Sequence, residues 1–181
     1  MDYRTSFQTP PEVCQYMARM IPAGVRTVLE PTPGVGNLVR ALNGYDVTAP
    51  EDFFRMGKER FDCVVTNPPF AAKYAFGVPG DLPVKGMQLG YYILKQCLNM
   101  SDNVIALMPW FTISDSDVRL RALKRWGLIS VTALPRKTFE YARIQTVVLQ
   151  LQKGYKGATE FKVYDLINEP IKKDLFSEIE T

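Results

Sequence analysis

The sequence predicts an α/β fold: a sheet covered by helices on both faces, with an antiparallel hairpin near its C-terminal end. Three observations carry that reading. Short apolar and β-branched runs alternate with helical patterns along the 181 residues. The two oddest stretches, 30–36 and 67–70, each follow directly on a strand. The last two strong strands, 129–134 and 144–151, are joined by a loop too short to hold a helical crossover. In open sheets of this kind ligands gather at the carboxyl ends of strands, where both odd stretches fall.

Taken in order, Thr9, Pro10, Pro11 and Glu12 read as a capping box with proline in the first turn, and Val13, Met17, Met20 and Ile21 continue at helical spacing to about Met20. Residues 26–29 form a short strand ending in Glu30, 31–36 a tight loop, and 37–42 a helix. A strand at 45–48 follows, then a buried one at 61–65 that Pro68 and Pro69 stop. Residues 88–100 read as a helix, 104–108 as an apolar strand, and 116–126 as an amphipathic helix ended by Gly127. The hairpin comes next, and 160–164 is the last strand. The stretch 71–84, rich in Gly, Pro and aromatics, reads as a mobile loop.

Composition excludes much. With 46% hydrophobic and 23% charged residues the chain fits one domain, and a net charge of +3 is too small for a binder relying on bulk charge, so any nucleic-acid contact must be a local patch. The absence of histidine removes Ser-His and Cys-His nucleophiles, imidazole bases and His-containing zinc sites. Cys14, Cys63 and Cys97 lie far apart with no CxxC pair, and read as reduced thiols of a cytoplasmic protein with no metal. Neither a signal-like apolar region nor a membrane-length apolar run is present, so a soluble protein with no membrane partner is expected.

Gly34 and Gly36 allow a backbone to approach a ligand closely, and Glu30 can accept from a cationic amine or a ribose hydroxyl; a purely structural turn has the same appearance. Asn67-Pro68-Pro69-Phe70 is more informative. An exocyclic amine on a nucleobase is a poor nucleophile because its lone pair is delocalised into the ring. Two fixed acceptors, the Asn67 side-chain oxygen and the Pro68 carbonyl, would localise that pair, and Phe70 offers a face for a flipped base. The bland alternative is a strand-ending turn with a core phenylalanine.

On these residues the sequence resembles the γ-type amino methyltransferases, enzymes with the NPPF motif that transfer a methyl group from S-adenosyl-L-methionine to adenine N6 in DNA. Phe7, Thr9 and Pro10 are similar to the family's amino-terminal cofactor motif, residues 28–36 to its glycine-rich motif, Asp52-Phe53 to its adenine-binding pair, and Asn67 to Phe70 to its catalytic tetrapeptide. Residues 121–153 continue as the family's last helix and hairpin, with Phe139 on the loop that closes over the target base. The resemblance implies a Rossmann-like class I methyltransferase sheet. It implies Asn67, Pro68, Pro69 and Phe70 as catalytic, and Thr9 and Pro10 by the methionine carboxylate. It also implies Glu30 by the amino group within a turn containing Pro31, Gly34 and Gly36, and Asp52 and Phe53 on the adenine. Thr9 is equally a helix cap, Asp52 a solvated acid and Phe139 a core residue.

Two departures stand out. Only thirty residues separate Gly36 from Asn67, where the family fits two strand-helix steps, so one αβ step is shortened and Glu51 is the nearest candidate for the ribose-holding acid. Twenty-eight residues follow Lys153, too few for a target-recognition domain, giving a catalytic domain at 1–154 and a strand and tail at 155–181. Between 119 and 143 the cations Arg119, Arg121, Lys124, Arg125, Arg136, Lys137 and Arg143 face Glu140 alone, and Lys73 and Lys85 add to them. The reading is a DNA adenine methyltransferase acting by base flipping, with DNA as partner and either little flanking preference or a second subunit for specificity. The rivals are an RNA base or a protein glutamine amide as substrate, and a non-catalytic subunit of the same fold.

Overall fold

The computed structural model describes residues 7–139 and 144–164, and the expected elements follow one another in the expected order. They are α1 (Pro11–Arg19), β1 (Thr27–Leu29), α2 (Asn37–Ala41), β2 (Asp46–Thr48), β3 (Cys63–Thr66), α3 (Leu89–Met100), β4 (Asn103–Pro109), α4 (Phe111–Ser114), α5 (Asp117–Trp126), β5 (Leu128–Ala133), β6 (Thr146–Gln152) and β7 (Glu160–Val163). The strands form one sheet in the order β2-β1-β3-β4-β6-β5-β7. The first four run parallel, β6 is antiparallel to both β4 and β5, and β7 lies parallel to β5 at the edge. The carboxyl ends of β1, β3, β4 and β5 therefore share one edge.

Strands buried on both faces need no polar alternation, which is why β3 and β4 are apolar almost throughout. Leu29, Val64, Val104, Ala106 and Met108 point to one face, where Leu89, Ile93, Leu94 and Cys97 of α3 and Leu123 of α5 meet them. Val28, Cys63, Val65, Ile105 and Leu107 point to the other, under Val13, Cys14 and Met17 of α1 and Leu38 of α2. The turn from α5 into β5 demands glycine: Gly127 has φ +141°, and a Cβ there would run into the Gln152 carbonyl oxygen.

The shortened step is present as expected. Between β2 and β3 there is only a single 3₁₀ turn, Phe53–Arg55, whose N-terminus is capped by Asp52 accepting from the Phe54 N–H at 3.0 Å. This leaves β2 at the margin of the sheet. The capping box expected at Thr9 is not formed. Pro10 occupies the N-cap position, where its side chain has no group to cap with, and the Thr9 hydroxyl accepts from Asn67 instead. Among the described residues no helix is long and apolar enough to cross a membrane.

Candidate active site

Glu30 extends β1, its N–H donating to the Thr48 carbonyl at 2.9 Å, and its side chain is 1% exposed. One carboxylate oxygen, Oε1, accepts from the Thr32 N–H at 2.9 Å and from the Thr32 hydroxyl at 3.3 Å. The other, Oε2, is buried with no hydrogen-bond partner among the described residues. Burial pushes the Glu30 pKa from 4.5 up to about 8, and the opposing hydrogen bonds from Thr32 do not offset it.

Asn67 leaves β3 at the same edge. Its Nδ2 donates to the Phe7 carbonyl at 3.2 Å and to Thr9 Oγ1 at 3.0 Å. The Phe7 carbonyl can only accept, which fixes the amide's orientation and turns Oδ1 away from both partners. Neither Asn67 Oδ1 nor the Pro68 carbonyl accepts a hydrogen bond among the described residues. Thr32 Oγ1 ties the glycine-rich turn to this strand, standing 3.2 Å from Thr66 Oγ1 and 3.4 Å from the Asn67 carbonyl. Asn37 Nδ2 holds the Thr9 carbonyl at 2.9 Å. Pro68 is buried and Phe70 half-buried, with the Phe70 ring against Gly90, where a Cβ would stand 3.2 Å from Cδ1.

The cleft between these groups is nearly closed. The Gln8 amide lies over Gly34, whose added Cβ would stand 2.7 Å from Gln8 Nε2, and Gln8 Oε1 accepts from the Val35 N–H at 3.2 Å. About 40 Å³ remains among Phe7, Gln8, Thr9, Glu30, Thr32 and Asn67, room for a water molecule or so. The segment 71–84 is pinned rather than projecting. Its Tyr74 ring meets Phe7 at 5.4 Å, and Gly77 sits so close to Asp52 that a Cβ would lie 2.7 Å from the carboxylate. A larger hollow of about 520 Å³ lies at the opposite edge beside Arg60, Asp62 and Asp102, with Arg60 and Asp102 paired at 2.8 Å. It contains none of the expected residues.

The structure thus brings together Phe7, Thr9, Glu30, Gly34 and Asn67, with Pro10, Pro31 and Gly36 in the same two turns. Asp52 carries an ion pair to Arg55 at 3.2 Å, and Glu51 is exposed. Phe53 and Phe139 are 8% and 7% exposed, each packed in one of the two cores, so neither ring presents a free face here. Lys73, Arg136 and Lys137 are exposed, and Arg143 lies outside the described residues. Gln8, Thr32, Gly77 and Gly90 were not anticipated. A signal existed only for Thr32, which sits inside the glycine-rich turn.

No family model matches the chain, and no curated protein does. Solved structures do. A type I restriction-modification methyltransferase subunit from Streptococcus thermophilus superposes with a TM-score of 0.66 at 15% identity, over 87% of this chain and 47% of its own. A modification subunit assigned to a type I restriction enzyme of Vibrio vulnificus gives 0.64 at 19% identity, over 96% and 51%. A protein of Listeria monocytogenes assigned to the class I S-adenosylmethionine-dependent methyltransferases gives 0.63 at 16%, over 87% and 65%. The chain has the class I methyltransferase fold. It spans about half the length of the modification subunits it matches.

Proposed function

We propose that the chain is an S-adenosyl-L-methionine-dependent methyltransferase acting on the N6 amine of adenine in DNA, with sequence choice supplied by a second subunit. The observation that carries this reading is the state of Asn67: its nitrogen is committed to Phe7 and Thr9, and among the described residues neither its oxygen, at the carboxyl end of β3, nor the following Pro68 carbonyl accepts a hydrogen bond. Two fixed neutral acceptors answer the problem posed by a delocalised amine, drawing its two N–H bonds out of the ring plane so that the nitrogen becomes pyramidal and its lone pair is localised. Phe70, braced by Gly90, offers the stacking face.

The residues also fit the cofactor. Glu30 Oε2 is a buried acceptor with no partner among the described residues, suited to an ammonium group, and Gly34 is a cradle filled by a polar amide that can withdraw. Glu30 would hold the amino group, the turn at Gly34 and Gly36 the methionine end, and Asp52 the adenine amine. When bound, S-adenosyl-L-methionine supplies an electrophilic methyl group on a sulfonium centre. Phe7 and Tyr74 would screen the site from water. Lys73, Arg136 and Lys137, exposed around the motif, suit phosphates.

The test is incubation of the purified chain with labelled cofactor and separate DNA, RNA and protein pools. Label at adenine N6 in DNA is expected, and label confined to RNA or protein would move the substrate class. The nearly closed cleft favours a second reading, a non-catalytic subunit that keeps the fold, and label in none of the pools would select it.

A further inference from the structure

Another cation stands at the edge that carries Asn67, on the side of the α3 and α5 helices. Arg119 lies in the first turn of α5, its N–H donating to Ser116 Oγ at 3.3 Å. Its side chain is half-buried and held in place: Nη2 donates to the Phe111 carbonyl at 2.9 Å, and the guanidinium lies 5.7 Å from the centre of the Tyr91 ring. Nε is buried with no hydrogen-bond partner among the described residues. The nearby acids are engaged elsewhere, Asp115 with Ser114 Oγ at 2.7 Å and Asp117 with Arg121 at 3.5 Å. A cation withdrawn from water without a carboxylate is costly to keep, and a fixed guanidinium is well shaped to take an oxyanion.

The pair is coupled to the tetrapeptide by one residue. Tyr91 follows Gly90, whose N–H reaches the Phe70 carbonyl at 3.4 Å and whose missing side chain makes room for the Phe70 ring. The Tyr91 hydroxyl makes no hydrogen bond among the described residues and remains able to donate.

We infer that Arg119 and Tyr91 form a clamp for the sugar-phosphate backbone of the nucleic acid whose base Phe70 receives, the guanidinium taking a phosphate oxygen and the phenol a neighbouring one. The clamp rests on the proposed nucleic-acid substrate. Arg136 and Lys137, exposed in the turn that follows β5, would be further phosphate contacts of the same strand.

The test uses the full chain and fluorescently labelled single-stranded and duplex DNA titrated at several KCl concentrations. Arg119→Met should weaken binding about tenfold at 0.1 M salt and flatten the slope of log affinity against log salt by about one unit, whereas Arg125→Met, an exposed cation in the last turn of α5, should leave the slope alone. Tyr91→Phe keeps the ring under the guanidinium and should weaken binding a few-fold at unchanged slope. Should Arg119→Met fail to fold, Arg119→Lys decides: it should keep the slope while losing affinity through the lost fork geometry. Wild-type binding with an unaltered slope and affinity in the Arg119 variants overturns the clamp and leaves the methyltransferase reading standing. Failure of the wild type to bind either DNA overturns both.

Discussion

The side-chain amide of Gln8 occupies the space above Gly34 that the proposed cofactor would need to approach, and its Oε1 already takes the Val35 N–H at 3.2 Å. That donor is the first backbone N–H beyond Gly34, so on the proposed reading Gln8 is a tethered occupant that the cofactor would displace. Gln8→Ala should therefore bind S-adenosyl-L-methionine severalfold more tightly than wild type in calorimetry, with no loss of thermal stability beyond about 1 kcal/mol. Weaker binding in the variant would mean that Gln8 contributes to the ligand's own contacts.

Asn67 and Thr9 form the second testable pair. Asn67→Ala should reduce methyl transfer by about 10²–10³-fold or more while cofactor affinity stays within a few-fold. Thr9→Val removes one of the two acceptors that fix the amide's orientation and should lower kcat about tenfold with little change in KM. Equal losses of cofactor binding and turnover in Asn67→Ala would make the residue structural.

The third prediction concerns pH. An unfolded carboxyl titrates near 4.5 and folded Glu30 near 8, so the folded state holds the extra proton between those values. The stability this confers is complete below pH 4.5, declines as pH rises, and is gone above about 8. Thermal midpoints should fall from pH 5 to 8, and Glu30→Gln should flatten that decline. Cofactor binding should move oppositely, tightening toward pH 8 because an ammonium favours the ionised acid, by at most about tenfold per unit. The single-turnover rate at saturating cofactor should be nearly flat from about pH 6 to 8, since burial pushes Cys14 and Cys63 up to about 12 and there is no histidine.

A fourth prediction tests the connection between α5 and the hairpin. Gly127→Ala combines a left-handed φ of +141° with a clash against the Gln152 carbonyl, and should destabilise the fold by several kcal/mol in denaturant titration. Gly24→Ala has the positive φ of +85° alone, with open space around it, and should cost only about 1 kcal/mol.

Order and identity of the elements were legible because the central strands are short apolar runs ended by proline, glycine or a polar turn, and each long helix carries its own stop. The missing αβ step was legible as a simple shortage of residues before Asn67. The bond between Asn67 and Thr9 was not, because a threonine ahead of Pro10 and Glu12 satisfies the local rule for a helix cap, and only the fold brings Asn67 close enough to claim its hydroxyl. Phe53 and Phe139 show the converse. An aromatic beside a loop reads as a platform in sequence, and burial in a core becomes visible only when helices and sheet are assembled. Gln8 and Gly90 carry no local signal, since a glutamine and a helical glycine acquire meaning only from what they face across the cleft.

The loss of that step makes the molecule mechanically lopsided. β4 and β6 are laced together along seven residue pairs, whereas β1 and β2 share three and, among the described residues, no strand lies outside β2. Local opening costs least in an edge strand held by one short ladder, so amide exchange should begin in β2 and the Asp52 turn while the β4–β6 seam stays closed until global unfolding. The adenine end of the proposed cofactor site sits on that soft margin. Ligand arrival would be felt there first, as slowed exchange at 46–55, and a weakly held margin would stiffen only while the site is filled.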